Sequence, residues 1–89
     1  MRRKDSSRSR GEIILELLEV ISEEGRAKKT RIMQRAYLDW RNFQKYFNFL
    51  HEHGFIGEIE NPEEGTSYEL KAKGKDLMKK LREVEQMLR

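Results

Sequence analysis

The first helical repeat of apolar residues begins at Ile13, after the basic residues at the start of the chain. Six aliphatic residues form one broad stripe of such a helix: Ile13, Ile14, Leu17, Leu18, Val20 and Ile21. Ser9 and Glu12 have the spacing of a capping box at the start of this helix. Gly25 can adopt the left-handed conformation that closes helices. The pattern predicts a core helix that supports the elements after it.

Two short amphipathic segments follow. In the first, Ile32, Met33 and Ala36 share one face. Asp39 has a short carboxylate that can accept hydrogen bonds from free backbone amides, so it predicts the N-cap of a helix beginning at Trp40. Because two residues separate Ala36 from Asp39, the chain must turn sharply between the two helices.

The second segment divides into two faces when its residues are placed about 100° apart. Its apolar side comprises Trp40, Phe43, Tyr46, Phe47 and Leu50. Its polar side comprises Arg41, Gln44, Lys45 and Asn48. These polar side chains carry the donors and acceptors that read base edges and hold phosphates. We interpret the pair as a helix-turn-helix with a DNA-reading second helix; the alternative is an ordinary solvated face.

A β-hairpin is predicted directly after this unit. The runs Phe55–Glu60 and Thr66–Leu70 have the composition of short strands, and a Pro/Gly turn separates them. Three helices followed by a hairpin is the order of a winged helix-turn-helix. Glu63 and Glu64 make the tip of this wing acidic, and carboxylates are repelled by phosphate. We therefore expect one of two arrangements. Either the wing does not enter a DNA groove, or only its flanks, at Thr66, Ser67 and Lys71, approach the DNA backbone.

The C-terminal segment from Ala72 onward has the composition of a helix. Its apolar residues are spaced four, three and four apart, as in a coiled-coil seam: Leu77, Leu81, Val84 and Leu88. Eighteen helical residues would form a rod of roughly 27 Å, too long for so small a core to cover. The same helix of a second copy is the expected partner, giving a two-fold homodimer. The alternative is a helix folded back on its own domain.

These elements define a mainly α fold with a small β-hairpin (α+β). The predicted division is a flexible basic arm at 1–8, a winged helix-turn-helix domain at 9–71 and a dimerisation helix at 72–89. The arm could neutralise phosphates without sequence preference, or be a solubilising tail that contacts nothing.

Composition narrows the possible chemistry. With 89 residues and no cysteine, the chain forms one small domain, and disulfides, zinc–thiolate sites and thiol catalysis are excluded. Apolar runs are too short to span a membrane. Because no signal-peptide core or cleavage site follows the basic N-terminus, we expect no export signal. His51 and His53 lie two apart on a helix and would point about 200° apart, so they cannot share a metal ion. No catalytic constellation is recognisable.

Charge alternates in blocks along the chain. The net charges are +4 for residues 1–10, −5 for 12–24, +5 for 26–53, −5 for 55–70 and +4 for 71–89. The helix-turn-helix is thus basic and the first helix acidic, as expected for a protein with one nucleic-acid face. Such blocks also occur on ordinary solvated surfaces.

The residues also resemble a known family. The relevant runs are Glu12-Ile13-Ile14, Lys29-Thr30-Arg31-Ile32-Met33, Ala36-Tyr37-Leu38, Tyr46-Phe47, Gly54-Phe55-Ile56, Tyr68-Glu69-Leu70 and Lys73-Gly74-Lys75. They resemble the archaeal dimeric winged-helix DNA-binding proteins of the ten-kilodalton "10a" type. This resemblance implies a C-terminal helix that pairs antiparallel in a dimer. It also implies binding of double-stranded DNA in chromatin organisation or transcription. The C-terminal helix here is shorter than the usual rod of that family, and the wing tip is acidic.

The sequence therefore predicts a non-enzymatic homodimer that binds double-stranded DNA with its third helix in the major groove. The predicted DNA-binding residues are Arg41, Gln44, Lys45, Asn48, Lys28, Lys29, Thr30, Arg31 and Arg35; the predicted dimer contacts are Leu77, Leu81, Val84 and Leu88. No cofactor, metal, membrane or small-molecule partner is expected, and the expected location is cytoplasmic, with the nucleoid. The alternative function is a protein-interaction module that uses the acidic hairpin and Phe49.

Overall fold

A computed structural model describes residues 8–89. Its elements, in chain order, are α1 (Arg10–Glu24), α2 (Lys29–Ala36), α3 (Trp40–Glu52), β1 (Ile56–Asn61), β2 (Gly65–Leu70) and α4 (Ala72–Met87). The predicted fold class is confirmed, since helices dominate the described residues and the two strands form an antiparallel hairpin.

Helix α1 begins and ends as its sequence predicts. The Ser9 hydroxyl accepts a hydrogen bond from the Glu12 amide at 3.2 Å, and the Glu12 carboxylate accepts one from the Ser9 amide at 2.7 Å. At the other end Gly25 has a φ of 81°, and its amide donates to the Ile21 carbonyl at 2.9 Å. Both ends satisfy backbone groups that a helix leaves unpaired.

The core forms where α1 meets the helix-turn-helix and the hairpin. Its fully buried side chains are Leu17, Leu18 and Ile21 of α1, Ile32 of α2, Phe43, Phe47 and Leu50 of α3, and Ile56 of β1. Each such side chain contributes roughly 1.5–3 kcal/mol by leaving water. This packing fixes α3 on the rest of the domain.

The hairpin gains a third, one-residue strand that the sequence analysis did not predict. Strands β1 and β2 pair with each other, from Ile56 opposite Leu70 to Asn61 opposite Gly65. Between α1 and α2, the Ala27 amide donates to the Tyr68 carbonyl at 3.0 Å, and the Tyr68 amide donates back to the Ala27 carbonyl at 2.8 Å. One residue has no alternation pattern, so its strand-like pairing leaves no periodic signal in the sequence. The bridge holds the wing against the start of α2.

Helix α4 is attached to the domain from its start as far as Arg82. Met78 is buried, and Leu77 and Leu81 pack against the core. Arg82 forms an ion pair with Glu19 of α1 at 2.9 Å. Beyond this point apolar side chains are exposed: Val84 by 51%, Met87 by 80% and Leu88 by 81%. The predicted seam is therefore divided, with Leu77 and Leu81 in contact with their own core and Val84 and Leu88 open.

Arg8 belongs to the folded domain. It is the last residue of the predicted arm at 1–8, of which residues 1–7 lie outside the described part. Its side chain is only 8% exposed and contacts the carboxylate of Glu16. The guanidinium also donates to the carbonyls of Ala36 at 3.1 Å and Tyr37 at 3.2 Å. These carbonyls lie at the C-terminal end of α2, where a cation is favoured by the helix dipole.

Trp40 is also placed differently from the prediction. The helical spacing assigned it to the apolar side of α3, yet the residue is 56% exposed. Trp40 is the first residue of α3, where the helix extends past the core that covers Phe43 and Phe47. Its ring stacks on Phe43 with the centroids 6.0 Å apart, so one face is covered and the other is open.

Candidate nucleic-acid interface

A tight turn sets the direction of α3. Tyr37 is left-handed, with φ 56° and ψ 45°, and its amide donates to the Gln34 carbonyl at 3.2 Å. The Asp39 carboxylate then accepts a hydrogen bond from the Asn42 amide at 2.8 Å, which caps α3 as predicted. The sharp turn inferred from the spacing is therefore present.

The aromatic side of α3 holds the helix in place. Phe43 and Phe47 stack with their centroids 5.0 Å apart, and Phe47 meets the ring of Tyr68 edge-on at 4.8 Å. Burial raises the pKa of the Tyr68 hydroxyl, and the nearby negative charge of Glu58 adds to the shift. Because this side is fixed to the hairpin, the opposite side of α3 faces outward.

Three of the four predicted reading residues lie on this outward face. Arg41, Lys45 and Asn48 are exposed. Within residues 8–89 neither Arg41 nor Lys45 has a carboxylate partner. Gln44 is less accessible: it is partly buried, and its side-chain oxygen is enclosed with no hydrogen-bond partner among the described residues.

The basic residues at the start of α2 contact neighbouring elements. The Lys28 ammonium contacts the backbone carbonyl of Glu64 at the wing tip. The Lys29 ammonium lies 5.1 Å from the centre of the Phe47 ring, a cation–π distance. Thr30 is exposed beside them. Lys28 and Lys29 thus bring positive charge to the junction of α2, α3 and the wing.

Arg31 and Arg35 pair with the acidic end of α1. Arg31 lies 3.1 Å from the Glu24 carboxylate. Arg35 lies 2.8 Å from Glu23 and 3.2 Å from Glu24. The hydrogen bonds with Glu23 and then Glu24 raise the pKa of the Arg35 guanidinium, which stays charged. A phosphate approaching these arginines would have to share them with two carboxylates.

The wing presents an acidic tip. The Asn61 side-chain oxygen accepts hydrogen bonds from the amides of Glu63 at 2.8 Å and Glu64 at 2.9 Å. These bonds hold the turn while both carboxylates point to solvent, since the two residues are exposed. On the flanks, Thr66 and Ser67 are partly buried and Lys71 is exposed. The tip is therefore unsuited to contact with phosphate.

Phe49, in the last turn of α3, packs against residues that follow the helix. Its ring is 4.5 Å from His53 and 5.9 Å from Phe55, measured between centroids, and the side chain is 38% exposed. It borders an open groove of about 330 Å³ between α1 and α3, which is lined by Arg10, Ile14, Lys45, Tyr46 and Phe49. Phe49 is thus partly packed, which its position on the helical wheel did not reveal.

Residues 8–89 contain neither a membrane-spanning helix nor a cluster of metal ligands. No helix there has the length and apolar character needed to cross a membrane. No group of three or more potential metal ligands occurs in the same part of the chain. His51 instead lies 3.3 Å from the Glu58 carboxylate, and His53 donates through Nδ1 to the Phe49 carbonyl at 3.0 Å.

Comparison with known proteins agrees with this geometry. A family model described as winged helix-turn-helix matches residues 7–89. The chain belongs to the winged helix-turn-helix family. This winged helix-turn-helix protein is 46% identical over 83 residues to MJ0287, an uncharacterized protein of Methanocaldococcus jannaschii; the match covers 93% of this chain and 79% of that one.

Solved structures of winged-helix proteins are also similar. Sso10a-2, a DNA-binding protein from Sulfolobus solfataricus, superimposes with a TM-score of 0.78 and 25% identity, over 90% of this chain and 81% of that one. The transcriptional regulator BldR from the same organism gives a TM-score of 0.73 at 15% identity, over 85% of this chain and 55% of that one. The second likeness concerns the fold alone. The resemblance to archaeal winged-helix proteins found in the sequence is confirmed.

Proposed function

We propose that this winged-helix protein binds double-stranded DNA as a homodimer and acts in chromatin organisation or transcription. The observation that carries the proposal is the outward face of α3, where Arg41 and Lys45 are exposed and lack carboxylate partners within residues 8–89. The similarity to the DNA-binding protein Sso10a-2 supports it. Winged-helix relatives of this kind point to a non-enzymatic protein, and binding is the whole of the proposed activity.

Some residues of the interface would contact bases, and others would contact the flanking DNA backbone. Arg41, Lys45 and Asn48 lie toward bases and neighbouring phosphates in the major groove. Gln44 contributes less than the sequence suggested, because its oxygen is enclosed. The flanking DNA backbone would be held by Lys28, Lys29 and Thr30, and by Arg31 and Arg35 where a phosphate displaces their ion pairs with Glu23 and Glu24. The acidic tip of the wing stays away from the DNA.

Titration of a random-sequence duplex at two salt concentrations tests this function, with light scattering on the same samples. We expect a dimer that binds at low salt, with an affinity that falls steeply as salt rises, because each phosphate contact releases counterions. The logarithmic slope should be about −0.9 per phosphate contact. Absence of binding at low salt would reject the DNA interface and favour a protein partner for the acidic hairpin.

The end of α4 supports the proposed dimer. A groove of about 310 Å³ runs between the start of α1 and the end of α4, and its lining includes Leu15, Leu81, Val84 and Leu88. Val84 and Leu88 are exposed here, and a second copy would remove their apolar surface from water. We propose that the two copies meet along this end of α4 and that Leu77 and Leu81 contribute mainly to their own core.

Replacing Val84 and Leu88 together by serine should therefore give a monomer. The fold should survive, because both side chains are already exposed in the single chain. Light scattering measures the mass and far-ultraviolet circular dichroism the helix content. The matched control is Lys79→Ser with Glu83→Ser, two exposed positions of the same helix outside the seam, which should remain dimeric. A Val84/Leu88 variant that is still dimeric would place the dimer contact elsewhere.

A further inference from the structure

Trp40 has an exposed face that the proposed interface does not yet use. The residue is 56% exposed. Its ring stacks on Phe43, with the centroids 6.0 Å apart and the planes inclined by 29°. Phe43 is itself fully buried. The indole therefore rests on the core through Phe43, while part of the residue is open to solvent.

That position is the N-terminal end of the reading face of α3. Trp40 is the first residue of the helix and lies one turn before Gln44, so the two side chains are neighbours on its surface. The next residue is the exposed Arg41. In helix-turn-helix proteins the N-terminal residues of the recognition helix contact base edges. If α3 enters the major groove, the indole enters with it.

The chemistry of an indole selects what it can contact there. Its faces carry the negative end of the ring quadrupole, which disfavours phosphate oxygens. The C5-methyl group of thymine is the apolar feature of the major groove, and burying it against the ring removes apolar surface from water. We propose that Trp40 is a specificity-determining residue that contacts thymine methyl groups in the major groove. This inference rests on the proposed DNA-binding function.

The first test uses the unmodified protein, because Trp40 is its one tryptophan. Tryptophan emission, excited where tyrosine does not absorb, is followed while an alternating adenine–thymine duplex is added, and fluorescence anisotropy of a labelled duplex reports binding separately. We expect the emission to move to shorter wavelength or to be quenched. The midpoint of this change should coincide with the midpoint of the anisotropy curve. Binding without any change in emission would overturn the role of Trp40 and leave the proposed function standing. Absence of binding would overturn the proposed function itself.

The second test removes the methyl groups from the DNA. The same duplex is made with deoxyuridine in place of thymidine, and wild type should bind it about fourfold more weakly for each methyl that the ring buries. Trp40→Ala should lack this loss, so its ratio of affinities for the two duplexes should be smaller than that of wild type by the same factor, and Trp40→Phe should recover part of the preference. Because the variant is compared on both duplexes, any effect of the missing methyl on DNA shape cancels.

The remaining outcomes also decide the question. An equal preference for thymine in wild type and Trp40→Ala would overturn the proposal. So would tighter binding of single-stranded oligothymidine than of the duplex, which would indicate stacking on unpaired bases. The salt dependence of Trp40→Ala should match that of wild type, since no phosphate contact is lost. If Trp40→Ala does not fold, Trp40→Phe and the emission of wild type give the same decision.

Discussion

Replacing Arg41 and Lys45 together by alanine should weaken binding to a random-sequence duplex by about thirtyfold or more, since each lost contact to DNA costs roughly 1 kcal/mol or more. The logarithmic salt dependence should become shallower by about one unit for each lost phosphate contact. Stability should change little, because both residues are exposed and surface substitutions usually stay within about 0.5 kcal/mol. Anisotropy titrations at several salt concentrations measure the first two effects, and thermal unfolding measures the third.

The matched control removes the same charge elsewhere. Lys75 and Lys79 are exposed one turn apart on α4, outside the predicted seam and the helix-turn-helix. Lys75→Ala with Lys79→Ala lowers the net charge equally and should keep most of the affinity. If both double variants lose affinity alike, the attraction comes from net charge and not from α3. If the Arg41/Lys45 variant binds like wild type, α3 is not the reading helix.

Replacing Gly74 by alanine should cost about 3 kcal/mol of the free energy of unfolding. A Cβ at this position would lie 2.1 Å from the carbonyl oxygen of Phe55 and 3.1 Å from its carbonyl carbon. The same oxygen accepts the Lys71 amide hydrogen bond at 3.0 Å. The first turn of α4 would have to move away from Phe55, which lies between α3 and β1. The clash is with backbone atoms, which cannot rotate away as a flexible side chain can. A chain of this size has roughly 4–13 kcal/mol in total, so the loss would be severe.

Gly11 provides the control, since it also lies in the first turn of a helix. The nearest atoms to a Cβ there are 4.0 Å away, on Leu81 and Ser9. Gly11→Ala should therefore be neutral or stabilising by up to about 1 kcal/mol, the helix preference of alanine over glycine. Urea unfolding followed by circular dichroism measures both variants. A Gly74→Ala protein as stable as Gly11→Ala would contradict the close approach of α4 to Phe55.

The sequence by itself determined those features that depend on neighbours within about one helical turn. The capping box at Ser9, the cap at Asp39 and the helix end at Gly25 need a few adjacent residues, and all are present. The hairpin was likewise predicted from residues that are close together in the sequence. The outward placement of Arg41 and Lys45 followed from helical spacing, because the opposite face was strongly apolar.

Only the tertiary structure decided the features that join residues distant in the chain. Arg8 reaches the carbonyls at the end of α2, Arg35 meets the acidic end of α1, and Ala27 pairs with Tyr68. The edge of the core left Trp40 exposed, and the attachment of α4 to α1 divided the predicted seam between packed and open residues. Periodicity shows which side of a helix or strand is apolar. The contacts named above depend instead on where each packed element ends relative to its neighbours. That relation is set by how side chains of different elements fill one core, and no local pattern encodes it.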